Sequence, residues 1–521
     1  MINKRHRNVI MVVLDTQRFD RLGCYGYDRS TSPNLDRFSS TSLFFEQAIA
    51  PGQWTIPSHA SLFTGEVPAV HMTHQADDVL PREYQTLAAR LSSSGIRTTG
   101  FCNNPLVGIL QNGLKRGFDE FYNYCGVVPS TPRKEIDDIW KPLRKFWSQY
   151  TQVLRRLSYP IQNAFASPNE FFLGALRPFF VPMWTKAGNF KGMTQRSIRE
   201  TTAFVNSIGS EQIGGHFVFL NLMETHLPYA PPDEFVKKFV PYFYETPEAQ
   251  HFMREFNRRA MQWLIPLMEP LNEIEAKTLS DMYDAEVAYQ DHLLEGLISA
   301  LDTEYHRENT LVVFLSDHGE MLGEHGYMGH GFGVYEELIR VPLFMRVPGL
   351  REGKHFSQRV SITQMFYTIL DYFGWETVQM PYADDLDVQS RSLLRAIDRE
   401  GSLSMHHFSE AYPPENAISI MRRHMPELIK KYHAEATHRA VYHYDQKLID
   451  VEAFSQVLID LTGDPHEVNP MNNPGEIKRL MKVLDGYLDS AATRRSELVN
   501  HKFSITDKVI QQRLRDLGYL E

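Results

Sequence analysis

The sequence has few cysteines, no long apolar run and no excess of positive charge. Its 521 residues include only 3 cysteines, without a Cys-x-x-Cys pair, which argues against a disulfide framework and a thiolate metal site. No apolar stretch reaches the roughly 18 residues of a membrane-spanning helix, and the run 9–14 is too short for a signal peptide. The net charge of −10 argues against a general nucleic-acid binder. We therefore expect a cytoplasmic protein with no transmembrane segment and no nucleic-acid partner.

Apolar runs that alternate with helical segments indicate an α/β fold. The run NVIMVVL at 8–14 is continuous and rich in β-branched residues, as in a parallel strand covered on both faces. Segments 97–102, 216–223 and 310–316 are predicted as further strands, and 277–301 as a long helix. This alternation predicts a large, mostly parallel sheet sandwiched by helices.

The chain divides into a large α/β domain at 1–390 and a small C-terminal α+β subdomain at 391–521. The second part carries alternating runs that suit a small antiparallel sheet, followed by terminal helices. An aromatic-rich segment at about 126–210 interrupts the first domain and is interpreted as a helical insertion. A substrate lid, a contact between copies of the chain or a contact with a membrane surface is the alternative, since exposed aromatic patches usually mark contacts.

Three residues that follow strands are candidate metal ligands. Asp15 ends the first apolar run, and Asp317 and His318 follow the strand at 310–316. The carboxyl ends of parallel strands are where α/β proteins bind ligands. Two carboxylates and an imidazole suit Zn²⁺ or Mn²⁺, with Ca²⁺ or Mg²⁺ as alternatives.

Thr55 is a candidate nucleophile at the start of a predicted helix. The segment WTIPSHASLFTG has a turn at 57–58 that leads into that helix. Helix N-termini favour anions, and a metal can activate a hydroxyl there. A helix cap is the plainer interpretation of Thr55 taken alone.

Several motifs, in this order, resemble the sulfatase branch of the alkaline-phosphatase superfamily. They are LDTQRFDRLGCYGYDRSTSPNLD, TIPSHASLFTG, ETHLPYAPPDEF, SDHGEMLGEHGYMGHG and LIDLTGDPHEVNP, and they span nearly the whole chain. The resemblance implies a large α/β sandwich with a small C-terminal domain, which makes 1–390 the catalytic domain. It also implies a metal-dependent ester hydrolase that acts on a small-molecule, carbohydrate or lipid ester.

The resemblance assigns roles to individual residues. Asp15, Asp317 and His318 match metal ligands, and Thr55 matches the nucleophile. His226 matches a histidine that contacts the substrate anion or protonates the leaving group. Asn104, or alternatively Asn103, is the candidate for a polar substrate contact, and His59 is a candidate near the leaving group. Arg18 and His330 are candidates for binding the substrate anion. A second cation held by His226, His330 and Glu224 is the alternative role for the two histidines.

The sequence departs from the sulfatase pattern at the nucleophile. Members of that branch carry Cys or Ser there, oxidised to formylglycine, and an Arg four residues later, whereas this chain has Thr55 and His59. Oxidation of threonine gives only a ketone, which hydrates poorly. We therefore favour a phosphodiester or phosphonate monoester as substrate, attacked by the threonine hydroxyl. A sulfatase that acts without formylglycine, a soluble phosphoryl or phosphoglycerol transferase, and a binding protein without activity remain as alternatives.

Overall fold

The computed structural model describes residues 7–125, 191–208, 214–259, 263–396 and 405–516. Within these residues the strands, labelled β1 to β17 in chain order, are Asn8–Leu14, Leu43–Ile49, Arg97–Cys102, Glu120–Asn123, His216–Leu222, Thr310–Leu315, Met321–Leu322, Met328–Gly329, Arg340–Arg346, Lys354–Phe356, Val360–Ser361, Thr377–Met380, Ala383–Asp387, His406–Ala411, His438–His443, Gln446–Val451 and Ser455–Asp460.

Helices of four or more residues connect these strands. They are Pro33–Ser39, Thr55–Thr64, Pro68–His71, Leu87–Ser93, Pro105–Gly108, Thr194–Ile208, Asp233–Phe239, Pro247–Arg258, Glu273–Leu301, Glu304–Asn309, Glu336–Ile339, Met365–Tyr372, Leu393–Ala396, Glu415–His424, Pro426–Tyr432 and Pro474–Asp516.

The large sheet has nine strands in the order β10-β2-β9-β6-β1-β5-β3-β4, with β11 also paired to β2. Strand β1 is central: Val9 pairs with Phe217 of β5 and with Leu311 of β6, and both pairings are parallel. Among the described strands of this sheet, only β9 is antiparallel to its two neighbours, β2 and β6. The predicted mostly parallel sheet is confirmed.

Apolar residues of β1 fill the core on both faces of this sheet. Val9, Met11 and Val13 pack into a cluster with the helices Thr55–Thr64 and Met365–Tyr372. The alternate residues of β1 pack on the other face, against helices that include Glu273–Leu301. Burial on both faces explains why the run is continuous rather than alternating.

The C-terminal part forms the expected small antiparallel sheet, in the order β14-β15-β16-β17. One face packs on the helix Pro474–Asp516, through Leu448 and Leu480 among others. The other face packs on the large domain, where Tyr442 and Ile449 meet Leu338. The exact division at residue 390 remains a prediction.

Much of the predicted aromatic-rich insertion lies outside the described residues. Positions 126–190 and 209–213 are not described, and the part between them forms the helix Thr194–Ile208. The predicted lid or self-contact by this segment therefore stays a prediction. Across the described part of the chain, no helix combines the length and apolarity needed to cross a membrane.

Candidate active site

Three of the predicted metal ligands converge at the carboxyl ends of neighbouring strands. Asp15 directly follows β1, and Asp317 and His318 follow β6 after one residue. Nε2 of His318 lies 3.8 Å from Oδ1 of Asp15 and 3.4 Å from Oδ2 of Asp317. All three side chains are buried, and their ligand atoms lie within 4.8 Å of one another.

The donor atoms of this group fit a divalent cation. Oδ1 of Asp15 and Oδ2 of Asp317 are buried without a hydrogen-bond partner, an arrangement that is costly for carboxylates unless a cation satisfies them. Nδ1 of His318 lies 2.9 Å from the carbonyl oxygen of Gly319. Donation of Nδ1–H to that carbonyl leaves the Nε2 lone pair facing the carboxylates, as in metal-binding histidines.

The two carboxyl groups have pKa values that are shifted in opposite directions. Burial, together with the nearby charge of Asp317, raises the pKa of Asp15 to about 7. Burial alone would also raise the pKa of Asp317, but His318 and His59 outweigh it and lower the value to about 2. Two carboxylates this close oppose each other's ionisation, so a cation between them would stabilise both charged forms.

Thr55 lies against the metal-ligand group. Its Oγ1 is 3.4 Å from Nε2 of His318 and 3.3 Å from Nδ2 of Asn104. Thr55 is the first residue of the helix Thr55–Thr64, where backbone N–H groups lack intrahelical acceptors and favour an anion. The threonine hydroxyl therefore lies where a metal ion and a tetrahedral anion would meet.

His226 and His330 form one wall of the site. Their ring centroids are 4.8 Å apart, and the ring of His330 is 4.7 Å from that of His318. Nδ1 of His226 lies 2.7 Å from the carbonyl oxygen of Leu227, and Nδ1 of His330 lies 2.9 Å from Oε1 of Glu320. Burial lowers the pKa of His226 to about 3 and that of His330 to about 4, so both rings are neutral at pH 7.

Asn104 is in the site, but its amide group binds protein atoms. Nδ2 donates to Oδ2 of Asp15 at 2.6 Å, and Oδ1 accepts from the backbone of Leu106. Asn103 points elsewhere and donates to Oγ1 of Thr194 at 2.7 Å. Of the two candidates, the structure therefore brings only Asn104 to the metal-ligand group.

Asn221 is a site residue that the sequence analysis missed. It lies in β5, and its Nδ2 donates to the same oxygen of Asp15 as Asn104 does, at 3.3 Å. The signal was an asparagine within the apolar run HFVFLNL. A polar side chain inside a fully buried strand needs a partner.

His59 lies beside the metal-ligand group, and its predicted action near the leaving group stays a prediction. Its Nδ1 lies 3.0 Å from the carbonyl oxygen of Thr55 and 3.3 Å from Oδ2 of Asp317. The ring packs edge-on against Phe63 and Phe219 in the core.

The predicted contact of Arg18 with the substrate anion stays a prediction. Its guanidinium forms ion pairs with Asp20 at 2.7 Å and with Glu324 at 2.6 Å, and it donates to the carbonyl of Glu320 at 3.2 Å. These protein acceptors bind most of the N–H donors that an anion would need. Arg18 thus ties the segment after β1 to the loop after His318.

The second metal site at His226, His330 and Glu224 stays a prediction. Among the described residues, these three are not a group whose ligand atoms approach within metal-binding distance. Glu224 lies close enough to Glu286 to raise the pKa of that carboxyl group, while Glu320 holds His330. The two histidines therefore face the site without the carboxylate.

A glycine allows the loop after the ligands to pack closely. A Cβ atom on Gly319 would lie 2.0 Å from the carbonyl oxygen of Glu337. The backbone N–H of Gly319 donates to Leu338 and that of Glu320 to Glu337. The short helix Glu336–Ile339 thus supports the segment that carries Asp317 and His318.

The fold is shared with solved structures of a sulfatase and of a phosphonate monoester hydrolase. A family model described as Sulfatase matches residues 7–375, which include all of the site residues described above. The chain belongs to the sulfatase family.

Individual relatives agree with this assignment. The chain is 23% identical over 343 residues to the sulfatase YidJ of Escherichia coli and 25% identical over 361 residues to iduronate 2-sulfatase of Mus musculus; each match covers 66% of this chain. The matches span 63% and 59% of those relatives' own lengths. The crystal structure of a phosphonate monoester hydrolase of Agrobacterium radiobacter has the same fold, with a TM-score of 0.61, 18% identity and coverage of 94% of this chain and 96% of that one.

Proposed function

We propose that this protein is a metal-dependent hydrolase that uses Thr55 as its nucleophile, with a phosphodiester or phosphonate monoester as the favoured substrate. The observation that carries the proposal is the position of Thr55 at the start of a helix, with its Oγ1 3.4 Å from Nε2 of His318. Asp15, Asp317 and His318 would hold the cation, and Mn²⁺ or Zn²⁺ suits that donor set best.

The identity of the nucleophile supports a phosphorus substrate. Threonine carries a methyl group on Cβ, so its oxidation gives a ketone rather than the aldehyde that formylglycine chemistry requires. A threonine alkoxide can instead attack phosphorus directly. The fold does not distinguish the two substrate classes, because sulfatases and a phosphonate monoester hydrolase share it.

The proposed reaction has two steps. A divalent cation at the three ligands would lower the pKa of the nearby hydroxyl and offset charge on the ester oxygens. Thr55 Oγ attacks phosphorus, the bond to the leaving-group oxygen breaks, and the hydroxyl proton reaches that oxygen through His226 or His330. Water then attacks the phosphorus atom of the threonine ester, which releases the product and restores the hydroxyl.

A sulfate ester is the second candidate substrate. The support is that the matched relatives are sulfatases, including iduronate 2-sulfatase. Sulfate and phosphate esters are both tetrahedral anions, so one site can accept both. A transferase that passes the phosphoryl group to a sugar hydroxyl rather than to water uses the same first step, and an added sugar acceptor would separate the two by product analysis.

The test compares a phosphodiester with a sulfate monoester that carries the same nitrophenol leaving group. The full chain is stripped of metal and reloaded with Mn²⁺ or Zn²⁺, and Thr55→Ala and Thr55→Ser are measured beside it. We expect faster phosphodiester cleavage, and a loss of kcat/KM on the order of 10³-fold or more in Thr55→Ala. Thr55→Ser keeps the hydroxyl and should retain most of the activity.

Faster sulfate cleavage would reject the favoured substrate but keep the hydrolase. Unchanged activity in a folded Thr55→Ala protein would reject the nucleophile. Acid quench should trap the covalent intermediate, in which Thr55 carries the phosphorus group with its remaining substituent. Mass spectrometry that maps this modification to Thr55 provides an independent readout.

A further inference from the structure

A second group of potential metal ligands lies where the large domain meets the C-terminal subdomain. It consists of His325, Glu337 and Glu467, whose ligand atoms lie within 4.8 Å of one another. His325 and Glu337 follow β6 and belong to the large domain, whereas Glu467 lies in the segment after β17 of the small sheet. None of the three is part of the active site described above.

Neighbouring groups hold each of these side chains in place. The ring of His325 stacks on Tyr335, with centroids 3.8 Å apart and an angle of 5° between the planes. Its Nε2 lies 3.9 Å from Oε2 of Glu337. One carboxylate oxygen of Glu467 accepts from the backbone N–H of Glu336 at 2.6 Å. These contacts hold the three side chains with their ligand atoms close to one another.

Glu337 has a carboxylate oxygen near His325 that lacks a hydrogen-bond partner. Its side chain is 9% exposed, and Oε2 is buried without a hydrogen bond. An unsatisfied buried carboxylate is strongly unfavourable. The separation of 3.9 Å from His325 is too long for a hydrogen bond, so the histidine does not satisfy this oxygen by itself.

The cations near this group pair with carboxylates other than Glu337. Arg18 binds Asp20 and Glu324. Lys447 lies 3.0 Å from Oε1 of Glu336 and 2.7 Å from Oε1 of Glu467, which is itself one of the three ligands. The carboxylate of Glu337 is therefore the one that lacks a direct ion pair with these two cations.

We infer that His325, Glu337 and Glu467 bind a second divalent cation, with Zn²⁺ as the best fit. One imidazole nitrogen and two carboxylate oxygens are common zinc ligands, and water can fill the fourth position. The cation would connect the loop behind the active site to the C-terminal subdomain. The carbonyl of Glu337 accepts from Glu320 at 3.2 Å, so the same cation would also steady the segment that carries His318.

The test counts the metal ions bound to the full chain. Wild type, Asp317→Asn, Glu337→Gln and the exposed control Glu427→Gln are stripped with a chelator, reloaded with Zn²⁺, desalted and measured by elemental mass spectrometry. We expect about two zinc ions per chain in wild type and the control, and about one in each of the other two variants. Wild-type stoichiometry in Glu337→Gln would overturn the inference.

A second measurement covers the case in which Glu337→Gln fails to fold. Asp317→Asn, with the active site disabled, is loaded with Co²⁺, and its visible absorption is recorded. The site is supported if Asp317→Asn shows the absorption of Co²⁺ bound by nitrogen and oxygen ligands and the double variant Asp317→Asn/His325→Ala does not. No cobalt spectrum in Asp317→Asn, or the same spectrum in the double variant, would reject it.

Discussion

At the scale of single residues, the contribution of Asn104 to the metal site can be tested. Its amide donates to Asp15 and Thr55, so Asn104→Ala should free both groups and weaken the metal site. We expect metal affinity or kcat to fall by about 10- to 100-fold, as when other partners of metal ligands are removed. Metal titration and steady-state kinetics would measure this.

The adjacent asparagine provides a matched control. Asn103 has the same side chain but donates to Thr194, so Asn103→Ala should change stability more than metal affinity. Equal losses of metal affinity in the two variants would contradict the assignment of Asn104.

The sequence located some side chains of the site but not the contacts of others, for a physical reason. Asp15, Asp317 and Thr55 could be located because strand ends and a helix start determine where such side chains lie. The ion pair of Arg18 with Glu324 could not be predicted, because Glu324 is 306 positions away along the chain. An arginine beside a site can face a substrate or a carboxylate, and only the packed loop decides between them.

At the scale of elements, strands with a continuous apolar run were predictable and interrupted strands were not. The predicted strand 97–102 is observed as Arg97–Cys102, and 216–223 is observed as His216–Leu222. In β2, Glu46 and Gln47 interrupt the apolar run, and the pairing with β9 shifts between Phe45 and Ala48. An interrupted strand of this kind lacks the continuous apolar pattern from which β1 was identified.

The long helix Glu273–Leu301 carries a buried carboxyl group that should make stability depend on pH. Burial raises the pKa of Glu286 from 4.5 to about 7, with Glu224 adding to the shift and Lys191, 2.7 Å away, opposing it. The folded state therefore binds this proton more tightly than the unfolded state does. Its contribution to stability is complete below pH 4.5 and is lost as the pH rises through about 7.

Glu286→Gln should remove this dependence. Between pH 5 and pH 8, the free energy of unfolding of wild type should fall relative to that of the variant by on the order of 3 kcal/mol. Urea unfolding at both pH values measures the difference, with Glu295→Gln, exposed on the same helix, as the control. Parallel pH profiles of wild type and Glu286→Gln would contradict the assignment.

At the scale of the whole molecule, a buried lysine joins the two domains. Lys447 of β16 is fully buried and lies between Glu336 of the large domain and Glu467. Lys447→Met would leave two buried carboxylates without their cation. We expect a loss of about 3–5 kcal/mol in the free energy of unfolding, which is usual when one partner of a buried ion pair is removed.

A surface lysine separates this effect from a general loss of charge. Lys482 lies on the exposed side of the helix Pro474–Asp516. Lys482→Met should therefore change the free energy of unfolding by less than about 0.5 kcal/mol. Chemical unfolding of both variants gives the comparison. Equal stability of the two would show that the pairs around Lys447 contribute little.

The central position of β1 has a consequence for synthesis on the ribosome. Its seven residues are fully buried, yet both of its sheet partners, β5 and β6, begin about 200 residues or more further along the chain. At 5–20 residues per second, the first apolar strand waits roughly 10–40 s for its first neighbour. During that time the nascent chain carries an unpaired, aggregation-prone segment, so newly made protein should depend on chaperones that shield its N-terminal region.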